Sequence, residues 1–174
     1  MVLEVSIDRS TEPAFVAELT DLVNQVYADA EKGLWVPGTR RTDEAEVAAV
    51  LEAGEFAVAR LDAALVGAVR VQRLPGGEGE FGMLVASPAH RGAGIGRELV
   101  RFAEAWARGR GARTMQLELL VPRDWTHPVK EFLREWYERL GYRAIRRDQF
   151  EQAHPTLAPR LATPCDFVVY HKPI

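Results

Sequence analysis

A single cysteine, Cys165, stands in the 174 residues of this chain, so no disulfide can form within it. That excludes the disulfide-stapled secreted scaffolds and agrees with a reducing compartment; a cytoplasmic location is the expectation. The lone thiol precedes a strand pattern and reads as a buried residue, not a nucleophile. Long apolar runs are missing too. None approaches the roughly 20 residues that cross a bilayer, and the opening MVLEVSIDRS carries Glu4 and Asp8 where a signal peptide would be apolar. No membrane association is expected. Histidine is scarce, with only His90, His127, His154 and His171. None stands in a close ligand pair, so no metal is expected. An excess of one charge is absent as well. The 22 basic and 25 acidic residues leave a net charge of −3, which weighs against a dedicated nucleic-acid binder, usually a basic protein.

What remains is an ordinary globular composition, 47% apolar and 27% charged, in a length that fits one domain over 1–174 with a real core. The N-terminal stretch 2–7 alternates apolar and polar residues as a strand does. Ser10 is a candidate helix cap with Pro13 in the first turn, and Phe15, Leu19, Leu22, Val23 and Val26 follow at helical spacing. The stretch 29–42 breaks that pattern with Gly33, Pro37 and Gly38, and a second helix runs over 43–53 to Gly54. Strands are expected at 55–61 and 65–74, joined as a hairpin by Asp62-Ala63-Ala64, and at 80–86 after the PGGEG turn. A helix begins at Ile95 and stops at Gly109 and Gly111. Then come a strand at 114–121, a helix at 129–140, a strand at 142–147, a proline-bearing connection at 148–164 and a strand at 166–171. A hairpin followed by β-α-β-α-β implies a mixed α/β sheet with helices packed on it, in the order β-α-α-β-β-β-α-β-α-β-β.

The densest signal is SPAHRGAGIGRELV, where Gly92, Gly94 and Gly96 alternate between Arg91 and Arg97 as a strand passes into a helix. A helix start leaves backbone N–H groups unpaired, and its dipole favours an anion. Side chains at these glycines would hold a diphosphate away from those donors. A ligand-free strand-to-helix turn is the plainer alternative. Other phosphate loops fit less well. No Gly-Lys-Ser/Thr is present for a P-loop, and Arg97 and Leu99 stand where the two registers of the dinucleotide fingerprint need glycine.

Arg91-Gly92-Ala93-Gly94-Ile95-Gly96 resembles the [Q/R]-x-x-G-x-[G/A] acetyl-CoA motif of the GCN5-related N-acetyltransferase (GNAT) superfamily. WYERLGY, 136–142, is similar to the second signature of that family, and the resemblance covers essentially the whole chain. It implies a mostly antiparallel central sheet flanked by helices and an amine that attacks acetyl-CoA directly in a ternary complex. It also implies that the strands at 80–86 and 114–121 part. The pantetheine would pair with the backbone near Leu84–Ala86, and a backbone N–H, that of Val85, would polarise the thioester carbonyl. The pyrophosphate would lie on Gly92–Arg97. Tyr137 matches the tyrosine that meets the departing thiolate. Glu80 is the candidate base and Glu78 the next, both of which also read as solvated turn residues, with Glu118 on the neighbouring strand as a third candidate. Lys130 stands seven residues before Tyr137, where many members carry an asparagine, and either contacts a CoA phosphate or lies at the surface.

For the acceptor, the stretch 31–42 offers Trp35 to stack on a ligand and Arg40 or Arg41 to hold a carboxylate, or else a basic turn with Trp35 tucked into the core. The 148–164 connection is a candidate lid, and Trp125 and His127 are expected near the thioester. A small-molecule amine is the expected partner. A protein or peptide amine is the runner-up, and a non-catalytic acyl-CoA sensor is the reading from another class. By analogy with the fold, an exposed final strand would pair across a homodimer.

Overall fold

The computed structural model describes residues 2–174. Seven strands form one sheet in the order β1-β2-β3-β4-β5-β7-β6. These are β1 (Leu3–Ile7), β2 (Phe56–Leu61), β3 (Ala64–Arg73), β4 (Gly79–Ala86), β5 (Thr114–Pro122), β6 (Arg143–Gln149) and β7 (Cys165–Pro173). Only β4 and β5 run parallel; every other neighbour is antiparallel. The hairpin between β2 and β3 is tighter than expected. Its turn is Asp62 and Ala63 alone, both at positive φ, while Ala64 already pairs with Leu61. Two left-handed residues match the twist of the flanking strands.

Four main helices cover the two faces. α1 (Pro13–Ala30) and α2 (Glu44–Glu52) lie on one, where Leu19, Val23, Val47 and Leu51 pack on Phe56, Val58, Ala68, Met83 and Val85. α3 (Ile95–Gly109) and α4 (Pro128–Arg139) lie on the other, where Ile95, Leu99, Ala103 and Tyr137 meet Val69, Val71, Phe81, Met115 and Leu117. Asp43 caps α2 through a bond from the Glu46 N–H at 2.8 Å. Ser10 does not cap α1. The helix starts later, behind Glu12 with no side-chain cap, and Pro13 at its first position removes one of the unpaired N–H groups there.

The 148–164 connection is more ordered than its prolines suggested. It contains a short helix, α5 (Phe150–Ala153), and a 3₁₀ turn at Ala158–Arg160. Phe150 is fully buried with Leu34, Leu120 and Cys165 in a third small core. The final strand is not an exposed edge. β7 lies between β5 and β6, paired on both sides, so it offers no free edge to a second copy. The edge there is β6, whose Arg143, Arg146 and Arg147 discourage strand addition.

β4 and β5 touch through only two residue pairs, Gly79 with Met115 and Glu80 with Gln116, and then diverge. Just beyond, β4 carries a bulge. Between the pairs Ala68–Val85 and Arg70–Gly82, β4 spends three steps against two in β3, and Met83 sits at φ +47°. A non-glycine residue held in the left-handed region marks a locally imposed bend. On β3, Gly67 lets α3 lie close, since a Cβ there would stand 2.7 Å from Ile95 and 2.9 Å from the Val85 carbonyl. The backbone oxygen cannot yield. Gly67→Ala is therefore expected to destabilise the protein by about 1–3 kcal/mol, read from the midpoint of urea unfolding.

Candidate active site

The gap between β4 and β5 ends at the glycine loop. Gly92 and Gly94 have φ of +82° and +76°, and nothing lies within 4 Å of where a Cβ would be at either. They meet both requirements at once: a left-handed backbone, which glycine adopts without steric cost, and open space above it. Gly94 is the N-cap of α3 and supplies no side-chain bond, so the first-turn N–H groups at Ile95, Gly96 and Arg97 have no partner within the helix. Gly96 serves packing, with the Trp136 ring 3.5 Å from its would-be Cβ. The loop opens on a cavity of about 570 Å³. Arg91, Gly92, Gly94, Gly96 and Arg97 line one side, Val26, Asp29 and Ala30 of α1 another, and Val129 and Trp136 of α4 a third. Ala93 belongs to the loop without lining the cavity. No ion pair or hydrogen bond engages the Arg91 or Arg97 side chain among the described residues. His90 also faces this cavity, and its buried Nδ1 has no partner.

The backbone of β4 revises one expectation. The Ser87 N–H bonds to the Val66 carbonyl at 2.7 Å. N–H groups in an antiparallel ladder alternate in direction, so the Val85 N–H also points to β3. That of Ala86 points to the open edge. Val85 itself is buried against α1 and α2, and Leu84 lies in the bulge packed on the α3 side. The free donor at the gap is at Ala86, which lines the cavity.

Tyr137 is 6% exposed, and its ring is surrounded by Phe81, Trp136 and Tyr142 with centroids 6.1, 5.1 and 6.2 Å away. Burial raises its pKa far above the usual phenol, and the Tyr27 phenol opposes its ionisation further. Tyr137 thus keeps its proton and can donate a hydrogen bond to a thiolate. Full transfer to a thiolate whose acid has a pKa of about 8.5 is uphill. Tyr142 places this helix. Gly141 ends α4 at φ +102°, and the Tyr142 hydroxyl donates to Glu104 of α3 at 2.7 Å, with Lys172 completing the carboxylate's shell at 3.0 Å. The second signature is therefore largely a clamp between α4, α3 and β7.

Glu80 is half-buried on β4, and burial raises its pKa. Glu118, two residues past Gln116 on β5, is raised for the same first reason. Glu78 sits at the PGGEG turn, its carboxylate over Gly76 and away from the gap. Cys165 is buried, its thiol pushed up to about 11 by burial, so it has no nucleophilic character at neutral pH.

Lys130 departs from both sequence expectations. It is 5% exposed and its Nζ lies 2.6 Å from Glu31 Oε2, so it is beneath the surface and its charge is spent on a carboxylate. Glu31 also accepts from Trp35 Nε1 at 3.0 Å. Trp35 is accordingly committed: its ring packs edge-on against Phe150, and the residue pairs with Leu161. Val36 N–H to Arg160 O at 2.8 Å and Ala162 N–H to Leu34 O at 2.9 Å zip the two acceptor-side segments together. His127 caps α4 through Nδ1 and reaches the Lys32 carbonyl with Nε2 at 2.9 Å. Trp125 stacks on His127 and donates to Thr163 at 3.0 Å. Arg40 is spent on exposed Glu44, whereas Arg41 lies over the Tyr27 ring at 5.1 Å. Tyr27 had no motif to announce it. It reads as one more helix residue until the fold turns it toward Arg41 and Tyr137.

Parted parallel strands, with an uncapped glycine-rich helix start and two arginines unpaired among the described residues at the mouth of the gap, leave backbone and charge open to a long anionic ligand. The family model described as the acetyltransferase (GNAT) family matches residues 18–142. The PaiA N-acetyltransferase of Thermoplasma acidophilum, solved with coenzyme A, superposes with a TM-score of 0.74 at 14% identity over 100% of both chains. An aminoglycoside 6′-N-acetyltransferase complexed with coenzyme A gives 0.73 at 18%, over 99% of this chain and 97% of that one. A chain of the NatC complex bound to Gag peptide and CoA gives 0.69 at 14%, over 100% and 99%. The sequence has no match among proteins of curated function. The chain belongs to the GNAT acetyltransferase family. It is an acetyltransferase, and acetyl-CoA is its cosubstrate. No helix among the described residues is long and apolar enough to cross a membrane.

The buried pair generates a stability prediction. Lys130→Ala leaves the Glu31 carboxylate buried with only Trp35 as donor, and is expected to cost about 3–5 kcal/mol in urea unfolding. Adding Glu31→Leu should recover a large part of that loss, because the stranded charge is then gone.

Proposed function

We propose that this protein moves the acetyl group of acetyl-CoA to the primary amine of a small molecule, by direct attack within a ternary complex. The observation that carries the reading is the cradle. Gly92 and Gly94 provide left-handed backbone and unfilled space, the uncapped first turn of α3 provides N–H donors, and Arg91 and Arg97 provide charge. These residues would hold the diphosphate, and the open edge of β4 near Leu84–Ala86 would pair with the pantetheine. There the Ala86 N–H is the donor free to polarise the thioester carbonyl. Glu80 would take the proton of the attacking ammonium, and Tyr137 would hydrogen-bond the departing thiolate.

The acceptor side favours a small amine. The segments around Trp35 and Leu161, the two candidate acceptor loops, are tied to each other by backbone bonds. The fold neighbours include an enzyme for aminoglycosides and one bound to a peptide, so fold likeness alone favours neither. An extended peptide would need those two segments to separate. Of the loop residues, Arg41 beside Tyr27 is the candidate acceptor contact; Trp35, Arg40 and Trp125 already have protein partners. A non-catalytic sensor on this fold would have no use for Tyr137 and Glu80 at the gap. A homodimer and a cytoplasmic location complete the proposal, with any dimer using a surface other than β7.

Gly94→Asp places a carboxylate in the cradle and is expected to weaken acetyl-CoA binding at least ~100-fold by calorimetric titration, with folding intact. Unchanged affinity would remove the cradle assignment. Tyr137→Phe is expected to lower kcat by about 10-fold or more while leaving the affinity for CoA within about 2-fold. Undiminished turnover in an amine screen followed by thiol release would mean that another group handles the thiolate.

A further inference from the structure

Glu80 is held by one hydrogen bond, and the donor is neutral. Gln116 Nε2 donates to Glu80 Oε2 at 2.7 Å. On the far side of the same amide, Gln116 Oε1 lies 2.8 Å from His171 Nε2. The three residues come from three strands, β4, β5 and β7. They form a row because Glu80 is in register with Gln116, and Gln116 with His171. That row crosses the sheet at the last point where β4 and β5 still pair. Beyond it the gap opens. Gln116 is 9% exposed, so its amide is not free to seek water.

Hydrogen-bond polarity then decides the arrangement. An amide oxygen only accepts and an amide nitrogen only donates. With His171 Nε2–H donating to Gln116 Oε1, the carbonyl is committed and the NH₂ must face Glu80. Reversed, the amide would set its oxygen against a carboxylate. Glu80 Oε1 is left with no protein partner among the described residues.

The neutrality of the donor matters as much as its position. A guanidinium in place of the amide would hold the carboxylate as firmly but would drain its affinity for a proton. Arg70 of β3 is the cation nearby, and Glu55 engages it at 3.0 Å. Burial raises the Glu80 pKa, and Glu118 of β5 raises it further; the Gln116 bond and Arg70 pull it down. His171 is the other titratable group in the row, with Arg143 of β6 opposite it in register.

We propose that Gln116 and His171 are positioning residues: His171 locks the amide of Gln116, and the amide fixes one oxygen of Glu80 so that the other is free for the acceptor ammonium. The proposal rests on Glu80 as the proton acceptor. An alkylammonium N–H bond breaks, and its proton passes to Glu80 Oε1 while Gln116 keeps Oε2. The nitrogen lone pair then forms the C–N bond as the C–S bond breaks, and the second proton of that nitrogen passes to the departing sulfur, so that a neutral amide and a thiol leave. Glu80 afterwards returns its proton to solvent.

The test is a pH titration of the protein carrying ¹³C in its glutamate carboxyls, with Glu80→Gln assigning the Glu80 resonance. In Gln116→Leu, Glu80 should titrate higher than in the wild type by about half a pH unit or more, the loss of one donor to the charged form. His171→Phe should shift it the same way by less. His171→Gln, which puts an amide N–H where Nε2 was, should restore the wild-type titration. Glu80 titrating identically in the wild type, Gln116→Leu and His171→Phe, all folded, overturns the proposal. With an amine that the wild type acetylates, the acid limb of kcat/KM should move with the Glu80 resonance. If the resonance moves and the limb does not, Glu80 is not the base, and this role falls while acetyl-CoA binding and the transferase reading stand.

Discussion

Two residue pairs are all that join the halves of this sheet. Gly79 with Met115 and Glu80 with Gln116 hold β4 to β5, and the rest of the molecule is arranged around the fact that the pairing stops there. Each strand stays paired along its other edge, β4 to β3 and β5 to β7 over nine residues, so the two diverge without coming loose from the sheet. The bulge at Met83 turns β4 away, as an inserted residue must. An open edge inside a sheet is normally a liability. Here it is the part of the backbone left available to a ligand that can pair like a strand.

The parts that serve the gap reach it from different directions and are tied at their ends. α3 starts at its mouth and is held close to the sheet by Gly67. α4 crosses it carrying Tyr137 and is clamped at its C-terminal end by Tyr142 on Glu104 and Lys172. Its N-terminal end is fastened to the segment after α1 by Lys130 with Glu31 and by His127 with the Lys32 carbonyl. A buried ion pair contributes little net stability compared with apolar packing, but it tolerates few geometries. That trade suits a junction between α4 and the segment after α1, where register matters more than strength.

Much of this was legible in the chain. The alternation of β5 and the helix spacing of α3 follow from local periodicity and stand where they were expected, and the order of elements does too apart from the short α5 between β6 and β7. The glycine motif was legible because glycine alone combines positive φ with an absent side chain. The failures share a different cause. Ser10 as a cap put the helix start too early, since Pro13 is the first helical residue and Glu12 precedes it. Lys130 looked like a surface cation because its partner, Glu31, is 99 positions away. Trp35 looked free to stack because Phe150 and Leu161, which occupy it, lie in a segment with no period of its own. The Val85 assignment needed the direction of each N–H, which depends on pairing with β3.

Residues within a few positions of one another carry the elements, the glycine-rich start of α3 and the family motifs, so these were readable from the chain alone. The tertiary structure decided which cations are free and which are spent. It also decided which edge of β4 is open, and that Gln116 and His171 stand in line with Glu80. Those outcomes depend on strand register and on partners far apart in the chain, and a linear pattern carries no record of either.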